Sequence, residues 1–142
     1  MRHAFTILLS FLLVAGCNGR ASSSGLVRNF GSTASPDGSK TLDVTLREKS
    51  LVDFQVLDST NGKLLASDNI GSDAMRWFLY WESPTKLWGY GSDFGYFKLF
   101  EFKSDGSVVE TTVERTLAVP QVVWENLPSR LQQKQKAQQD AP

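Results

Sequence analysis

The segment between Arg76 and Lys103 restricts the fold more than any other part of this chain. It contains eleven of the sixteen Trp, Tyr and Phe residues, in three runs separated by residues that form turns. Aromatic residues favour β-strands, whereas Gly, Pro, Ser and Asp between such runs favour turns. The segment therefore predicts three central strands of a β-sheet, at about 75–82, 86–90 and 95–103.

Apolar and polar residues alternate in the segments before this one. Leu42, Val44 and Leu46 share one face of a first run, and Val52, Phe54 and Val56 share one face of a second. This period of two predicts a hairpin with one face in water. Further predicted segments are a short strand at 63–67, a polar loop at 68–74, a strand at 108–113 and an edge strand at 119–124.

The alternation is lost in the first central strand, where Trp77, Leu79 and Trp81 share the run with Phe78 and Tyr80. A strand without a polar face must be covered on both sides. Either the rest of the domain covers it, or one aromatic face is left to bind a partner.

These patterns predict an all-β domain, a small antiparallel meander or sandwich of about seven to eight strands. A short C-terminal helix is expected after Pro128, docked through Leu127 and Leu131. A faint repeat places Phe54–Asp58 over Phe97–Glu101 at an offset of 43 residues. In length and turn composition the two units resemble blades of a β-propeller. We expect them to pack face to face, and the alternative is that several chains assemble.

The N-terminus has the pattern of a secretory signal. Arg2 and His3 precede a run of twelve mostly apolar residues, 4–15, which is too short for a spanning helix of about 20 residues. The following sequence, Val14-Ala15-Gly16-Cys17, resembles the lipobox of bacterial lipoproteins. The resemblance implies that Cys17 is diacylated and becomes the first residue of the mature protein.

Cys17 is the only cysteine, so the chain cannot form an internal disulfide. Its alternative role is that of an incidental cysteine near an ordinary cleavage site. Acylation by two or three chains would suffice to hold a domain on a bilayer. The predicted organisation is a signal peptide at 1–16, a lipid-anchored flexible tether at 17–25, a β-domain at 26–125 and a helical or disordered tail at 126–142.

The charges restrict the function. Fifteen basic residues balance fifteen acidic ones and are scattered, which gives no basic footprint for nucleic acid. His3 is the only histidine and belongs to the predicted signal peptide. The mature domain would then lack the groups for Ser-His-Asp or Cys-His catalysis and for the usual zinc sites, so no cofactor or metal is predicted.

Carboxylates are the remaining candidates for catalysis. Two of the side chains of Asp68, Asp73, Glu82 and Asp93 would be enough for glycoside cleavage if they lay some 5–10 Å apart. The alternative is structural, because Asp beside Gly and Ser commonly caps turns. The oxygen-rich segment 68–73 lacks the residue spacing of a calcium loop.

The aromatic cluster is the feature with the most functional potential. Trp77, Trp81, Trp88 and Tyr90 would form a platform for sugar rings or for a protein partner if they were exposed together. The alternative is that these rings fill the core of a small sheet.

Three functions remain open. The first is a lipid-anchored envelope protein whose non-enzymatic β-domain binds another envelope protein or assembles with itself. The second is a module that binds peptidoglycan or surface polysaccharide, and the third is a carboxylate-dependent hydrolase. The expected location is the cell envelope. The lipoprotein resemblance implies the outer membrane if the source is Gram-negative, because inner-membrane lipoproteins often carry Asp at the position of Asn18. The oligomeric state stays open.

Overall fold

The computed structural model describes residues 25–113 and 119–133, and it confirms the predicted all-β fold. The predicted signal peptide, Cys17 and the tether up to residue 24 lie outside the described residues. Nine strands are present in the described part: β1 Leu26–Val27, β2 Gly31–Ala34, β3 Lys40–Arg47, β4 Leu51–Asp58, β5 Leu64–Ser72, β6 Trp77–Ser83, β7 Lys86–Gly91, β8 Phe97–Phe102 and β9 Val108–Val113.

The strands form two antiparallel sheets. Sheet A has five strands in the order β1-β6-β7-β8-β9, and sheet B has four in the order β2-β3-β4-β5. Each sheet thus contains a meander of four consecutive strands. Only β1 departs from this order, because the chain pairs first with β6 and then crosses to begin sheet B.

Local sequence explains the hairpins. The predicted pair around Leu42 and Phe54 is the β3–β4 hairpin, in which Val44 lies opposite Phe54. Its connection is the single turn Glu48–Ser50, where Lys49 has a φ of 67°. At the β8–β9 turn Gly106 has a φ of 83°, a conformation that Gly adopts without strain.

The main core lies between the two sheets. Its residues are those that alternate inward along the strands, which explains the regular spacing in the sequence. Sheet B contributes Leu42, Val44, Val52, Phe54, Val56 and Ile70, and sheet A contributes Val27, Leu79, Trp81, Leu87, Phe100 and Phe102. The two meanders therefore pack face to face.

The other face of sheet A is also covered, which explains the missing alternation in β6. Residues 119–133 lie across it and include the helix α1, Gln121–Glu125. Val123 and Leu127 of this segment pack in a second apolar cluster with Phe78, Trp88, Tyr90, Phe97 and Val113. The predicted docking through Leu127 and Leu131 is confirmed, because Leu131 packs against the same cluster.

Two local predictions were wrong. The expected edge strand at 119–124 is largely the helix α1, with Pro120 at its N-cap. Packing of Val123 against sheet A outweighs the weak β-propensity of this short apolar run. The expected loop at 68–74 is instead mostly strand, because β5 continues to Ser72 and pairs with Leu51 of β4.

The sandwich has two ends, which we name after residues that mark them. At the Gly25 end, the Trp81 amide donates to the Gly25 carbonyl at 2.8 Å. The β6–β7 and β8–β9 turns lie at this end. The start of β3 lies there too, because the Lys40 ammonium is 5.5 Å from the Phe102 ring centre. The Phe30 end lies about 20 Å away, the length of a six-residue strand at about 3.3 Å per residue. Among the described residues no helix is long and apolar enough to span a membrane.

Candidate functional site

The structure separates the four aromatic residues that the sequence analysis grouped together. Trp81, Trp88 and Tyr90 are at most 5% exposed, and Trp77 is half-buried. Trp77 and Trp81 belong to the core between the sheets, whereas Trp88 and Tyr90 point to the face under residues 119–133. The four rings therefore do not form one exposed platform, because successive side chains in a strand point to opposite faces.

Trp77 is the member of this group that reaches the surface, and it does so beside a residue that the sequence analysis missed. The ring centres of Phe30 and Trp77 are 5.6 Å apart, with 38° between the ring planes. Phe30 is 48% exposed, which is unusual for a ring that packs on another ring. It lies in the connection between the two sheets, so only the crossing from β1 to β2 brings it to Trp77.

Other residues at the Phe30 end extend this surface. Met75 is 45% exposed in the turn that leads into β6. Arg28 donates to the side-chain oxygen of Asn126, and Arg76 donates to the backbone oxygen of Asn126 at 3.3 Å. No ion pair to a carboxylate is formed by either arginine within the described residues. We call Phe30, Met75 and Trp77 the Phe30 surface. Arg28 and Arg76 lie at the same end of sheet A, where they contact Asn126 on its outer face.

Three of the four candidate carboxylates make structural contacts, and one of these, Asp93, lies beside Ser72, the chain neighbour of Asp73. Glu82 accepts a hydrogen bond from the Trp88 indole nitrogen at 2.8 Å. Asp93 accepts from the backbone amide of Ser72 at 2.8 Å, which joins the β7–β8 connection to the end of β5. Asp73 lies in the exposed turn after β5. These contacts agree with the alternative in which the carboxylates support turns and strand ends.

The fourth carboxylate, Asp68, belongs to an ionic cluster between the sheets. The Lys98 ammonium binds Asp68 of β5, lies 3.6 Å from Glu110 and sits 5.5 Å from the ring centre of Phe94. The Lys98 side chain is only 13% exposed. Burial opposes its charge, but the hydrogen bond and the charge of Asp68 outweigh burial and raise the pKa of Lys98. The lysine therefore stays charged and links β8 of sheet A to β5 of sheet B through an ion pair, which we call the ionic clamp.

Two turn carboxylates have lowered pKa values for a local reason. Asp37 accepts from the Ser39 amide at 3.0 Å and from the hydroxyls of Ser35 and Ser39 at 2.8 Å. These donors, the Ser39 amide first, lower the pKa of Asp37 to about 2. Hydrogen bonds from the Ser107 hydroxyl and amide lower the pKa of Asp105 in the same way. Within residues 25–113 and 119–133 no group of three or more His, Cys, Asp or Glu side chains is placed to hold a metal ion.

A cleft lies on the outer face of sheet A, beside the docked C-terminal segment. Its volume is about 450 Å³ and its lining is formed by Glu82, Lys86, Trp88, Leu99, Val113, Val119 and Pro120. The lining residues come from β6, β7, β8, β9 and the segment before α1, which are distant in sequence. We call it the Trp88 cleft, and local sequence patterns contain no signal for it.

The Phe30 surface and the Trp88 cleft are the two features of the described structure that we consider as binding sites. The first is open and combines aromatic rings with Met, and the second is a partly open, mostly apolar cleft with one charge of each sign. Comparison of the chain with protein-family models, with characterised proteins and with solved structures finds no match.

Proposed function

We propose that this protein is a lipid-anchored protein of the cell envelope that binds another envelope protein through the Phe30 surface and has no catalytic activity. The observation that carries the proposal is the position of the exposed Phe30–Trp77 pair, at the end of the sandwich opposite Gly25. An anchor at Cys17 would hold the domain by its Gly25 end. The Phe30 surface would then face away from the membrane.

The composition of the Phe30 surface supports a protein partner. Trp, Phe, Met and Arg are enriched in protein interfaces, where aromatic and Arg side chains contribute most of the binding free energy. Phe30 and Met75 would supply an apolar centre, at 48% and 45% exposure. Arg28 and Arg76 would supply positive charge on the Asn126 side of this surface, so the complementary partner surface carries an apolar side chain with carboxylates on that side.

The sequence supports the other parts of the proposal. The lipobox at Val14–Cys17 supports the anchor, and the scarcity of histidine and cysteine supports a non-enzymatic role. The glycan alternative depended on four rings exposed together, and burial of Trp81, Trp88 and Tyr90 removes that platform. The hydrolase alternative has less support, because Glu82, Asp68 and Asp93 each bind a different structural partner and Asp73 lies in an exposed turn.

Site-specific photocrosslinking in the native host tests the proposal. A photoreactive amino acid replaces Phe30 in the full chain, and in a matched control it replaces Leu64, which is 49% exposed. Leu64 follows the β4–β5 turn and lies toward the Gly25 end. We expect a discrete protein crosslink from position 30 and none from position 64.

The same experiment can reject the proposal. Absence of any protein crosslink at position 30, or the same products from both positions, would show that the Phe30 surface is not a docking site. In a second arm, Phe30→Asp should lower recovery of the crosslinked partner in co-purification, while Leu64→Asp should leave it unchanged. Mass spectrometry of residue Cys17 in the same preparation tests the anchor separately.

A further inference from the structure

The Trp88 cleft has the size of a ligand site and a mostly apolar lining. Its volume of about 450 Å³ lies within the usual range for small-molecule sites, about 300–1,000 Å³. Trp88 and Leu99 are opposite one another on β7 and β8 and form its floor. Val119 and Pro120 form one wall. The cleft runs diagonally across sheet A from the β6–β7 turn to Val113 near the Phe30 end.

The polar groups of the cleft are concentrated at its Gly25 end. The Trp88 indole nitrogen donates to Glu82 at 2.8 Å, so the hydrogen-bonding atom of the ring is satisfied. Trp88 is 5% exposed and closes the floor of the cleft, while the half-buried Leu99, Val119 and Pro120 leave apolar surface for a ligand. The Lys86 ammonium makes no hydrogen bond or ion pair with any described residue. It can therefore donate to an oxygen of a ligand whose apolar part lies on Leu99.

The path of the chain places one such ligand close by. Leu26 lies opposite Tyr80 on β6, and Tyr80 lies opposite Trp88 on β7. Two strand spacings of about 4.8 Å put Trp88 roughly 10 Å from Leu26. The eight residues from Asn18 to Gly25 can span up to about 28 Å. An acyl chain on Cys17 can thus reach the cleft from the Gly25 end.

We propose that the Trp88 cleft binds a fatty acyl chain carried by Cys17 of the same molecule whenever that chain is not inserted in a bilayer. The inference rests on the lipid anchor of the proposed function. The apolar chain lies on Leu99, Val119 and Pro120, and the carbonyl oxygen of the acyl linkage accepts a hydrogen bond from Lys86.

The tether favours this ligand over a free amphiphile. A short linker holds the acyl chain at an effective concentration in the millimolar range, which favours binding even to a weak and partly open cleft. Transfer of the acyl chain from water to Leu99, Val119 and Pro120 supplies the driving force, because apolar surface leaves water. A bilayer competes for the same acyl chain. The cleft therefore holds the acyl chain when the protein is in water and is unoccupied when the acyl chain is inserted in the membrane.

A photoreactive fatty acid tests the inference. Cells that express the full chain incorporate a diazirine-labelled fatty acid, and the lipidated protein is purified, freed of detergent, diluted to limit association and illuminated. Peptide mapping then locates the crosslinks from the acyl chain. We expect them on the peptides that contain Lys86, Trp88 and Leu99, with none on the outer face of sheet B.

The outcomes separate this inference from the anchor itself. If Cys17 carries no label, both the anchor and the cleft ligand are refuted. If Cys17 is labelled but the crosslinks map away from the cleft, the cleft inference alone is refuted. The same holds if, in a mixture of two differently tagged copies of the protein, crosslinks form only between different copies.

Matched variants add a second readout. Leu99→Gln should abolish most of the crosslinks, while Leu64→Gln should leave their yield unchanged, with folding checked by circular dichroism. If Leu99→Gln does not fold, the map of the unsubstituted protein still decides the question.

Discussion

Gly91 of β7 passes so close to Ile70 of β5 that a Cβ atom at position 91 would lie 1.8 Å from the Ile70 carbonyl oxygen. This contact joins the two sheets at the Phe30 end. The neighbouring hydrogen bond from the Ser72 amide to Asp93 also holds the end of β5 close to the end of β7. The position of Trp77, which pairs with Gly91, therefore depends on how closely β5 approaches β7.

Gly91→Ala should destabilise the domain by about 1–3 kcal/mol or more, because backbone atoms of Ile70 must move. Gly89→Ala is the matched control on the same strand and face. There the nearest atom is a methyl carbon of Ile70 at 3.4 Å, and we expect little change. Denaturant unfolding of both variants measures the difference, and equal stabilities would contradict the close approach.

Lys98→Met should destabilise the domain by about 1–3 kcal/mol, the usual loss for a hydrogen bond to a charged group, because it leaves Asp68 unpaired between the sheets. The control is Lys103→Met, which breaks an exposed pair with Glu101 at 3.4 Å and should cost about 0–1 kcal/mol. Urea unfolding at neutral pH compares the two variants.

The same ionic clamp predicts a loss of stability in alkali. Because the pKa of Lys98 is raised above its ordinary value of 10.5, its contribution is complete below pH 10.5 and disappears as the pH rises through the higher folded value. The melting temperatures of wild type and Lys98→Met should therefore converge above pH 10.5. A constant difference across this range would argue against a charged Lys98 as the source of stability.

The lowered pKa of Asp37 predicts a loss of domain stability at low pH. Its pKa of about 2 lies below the ordinary value of 3.8, so its contribution is present above pH 3.8 and is lost as the pH falls through 2. Asp37→Ala should lower the melting temperature at pH 6 and have a shrinking effect as the pH falls toward 2. Thermal unfolding across this range, with the exposed Asp73→Ala as control, checks the prediction.

The docked position of residues 119–133 on sheet A predicts that loss of an apolar contact there will expose this segment to proteolysis. Leu127 is 5% exposed in the second apolar cluster, and Leu127→Ala should cost about 2–5 kcal/mol of segment docking. Ser129→Ala, an exposed position two residues later, should be nearly neutral. Limited proteolysis should cut the Leu127→Ala variant faster within 119–133, and identical digestion of the two variants would contradict the docked arrangement.

Much of the fold could be predicted because its signals are local. Alternation along β3 and β4 depends only on the period of a strand, and turn residues such as Gly106 mark the hairpins. The missing alternation in β6 left two alternatives, cover by the rest of the domain or an exposed aromatic face, and the structure supplies cover from sheet B and from residues 119–133. The structure of α1 could not be predicted in this way, since Val122 and Val123 favour a strand until they meet sheet A.

The sequence by itself determined an all-β chain with its central strands between Arg76 and Lys103. Only the tertiary structure decided which aromatic rings reach solvent: it buried Trp88 and Tyr90 and placed Phe30 on Trp77. The physical reason is that periodicity and turn chemistry act over a few residues. Burial depends instead on segments that meet across the sandwich from distant parts of the chain.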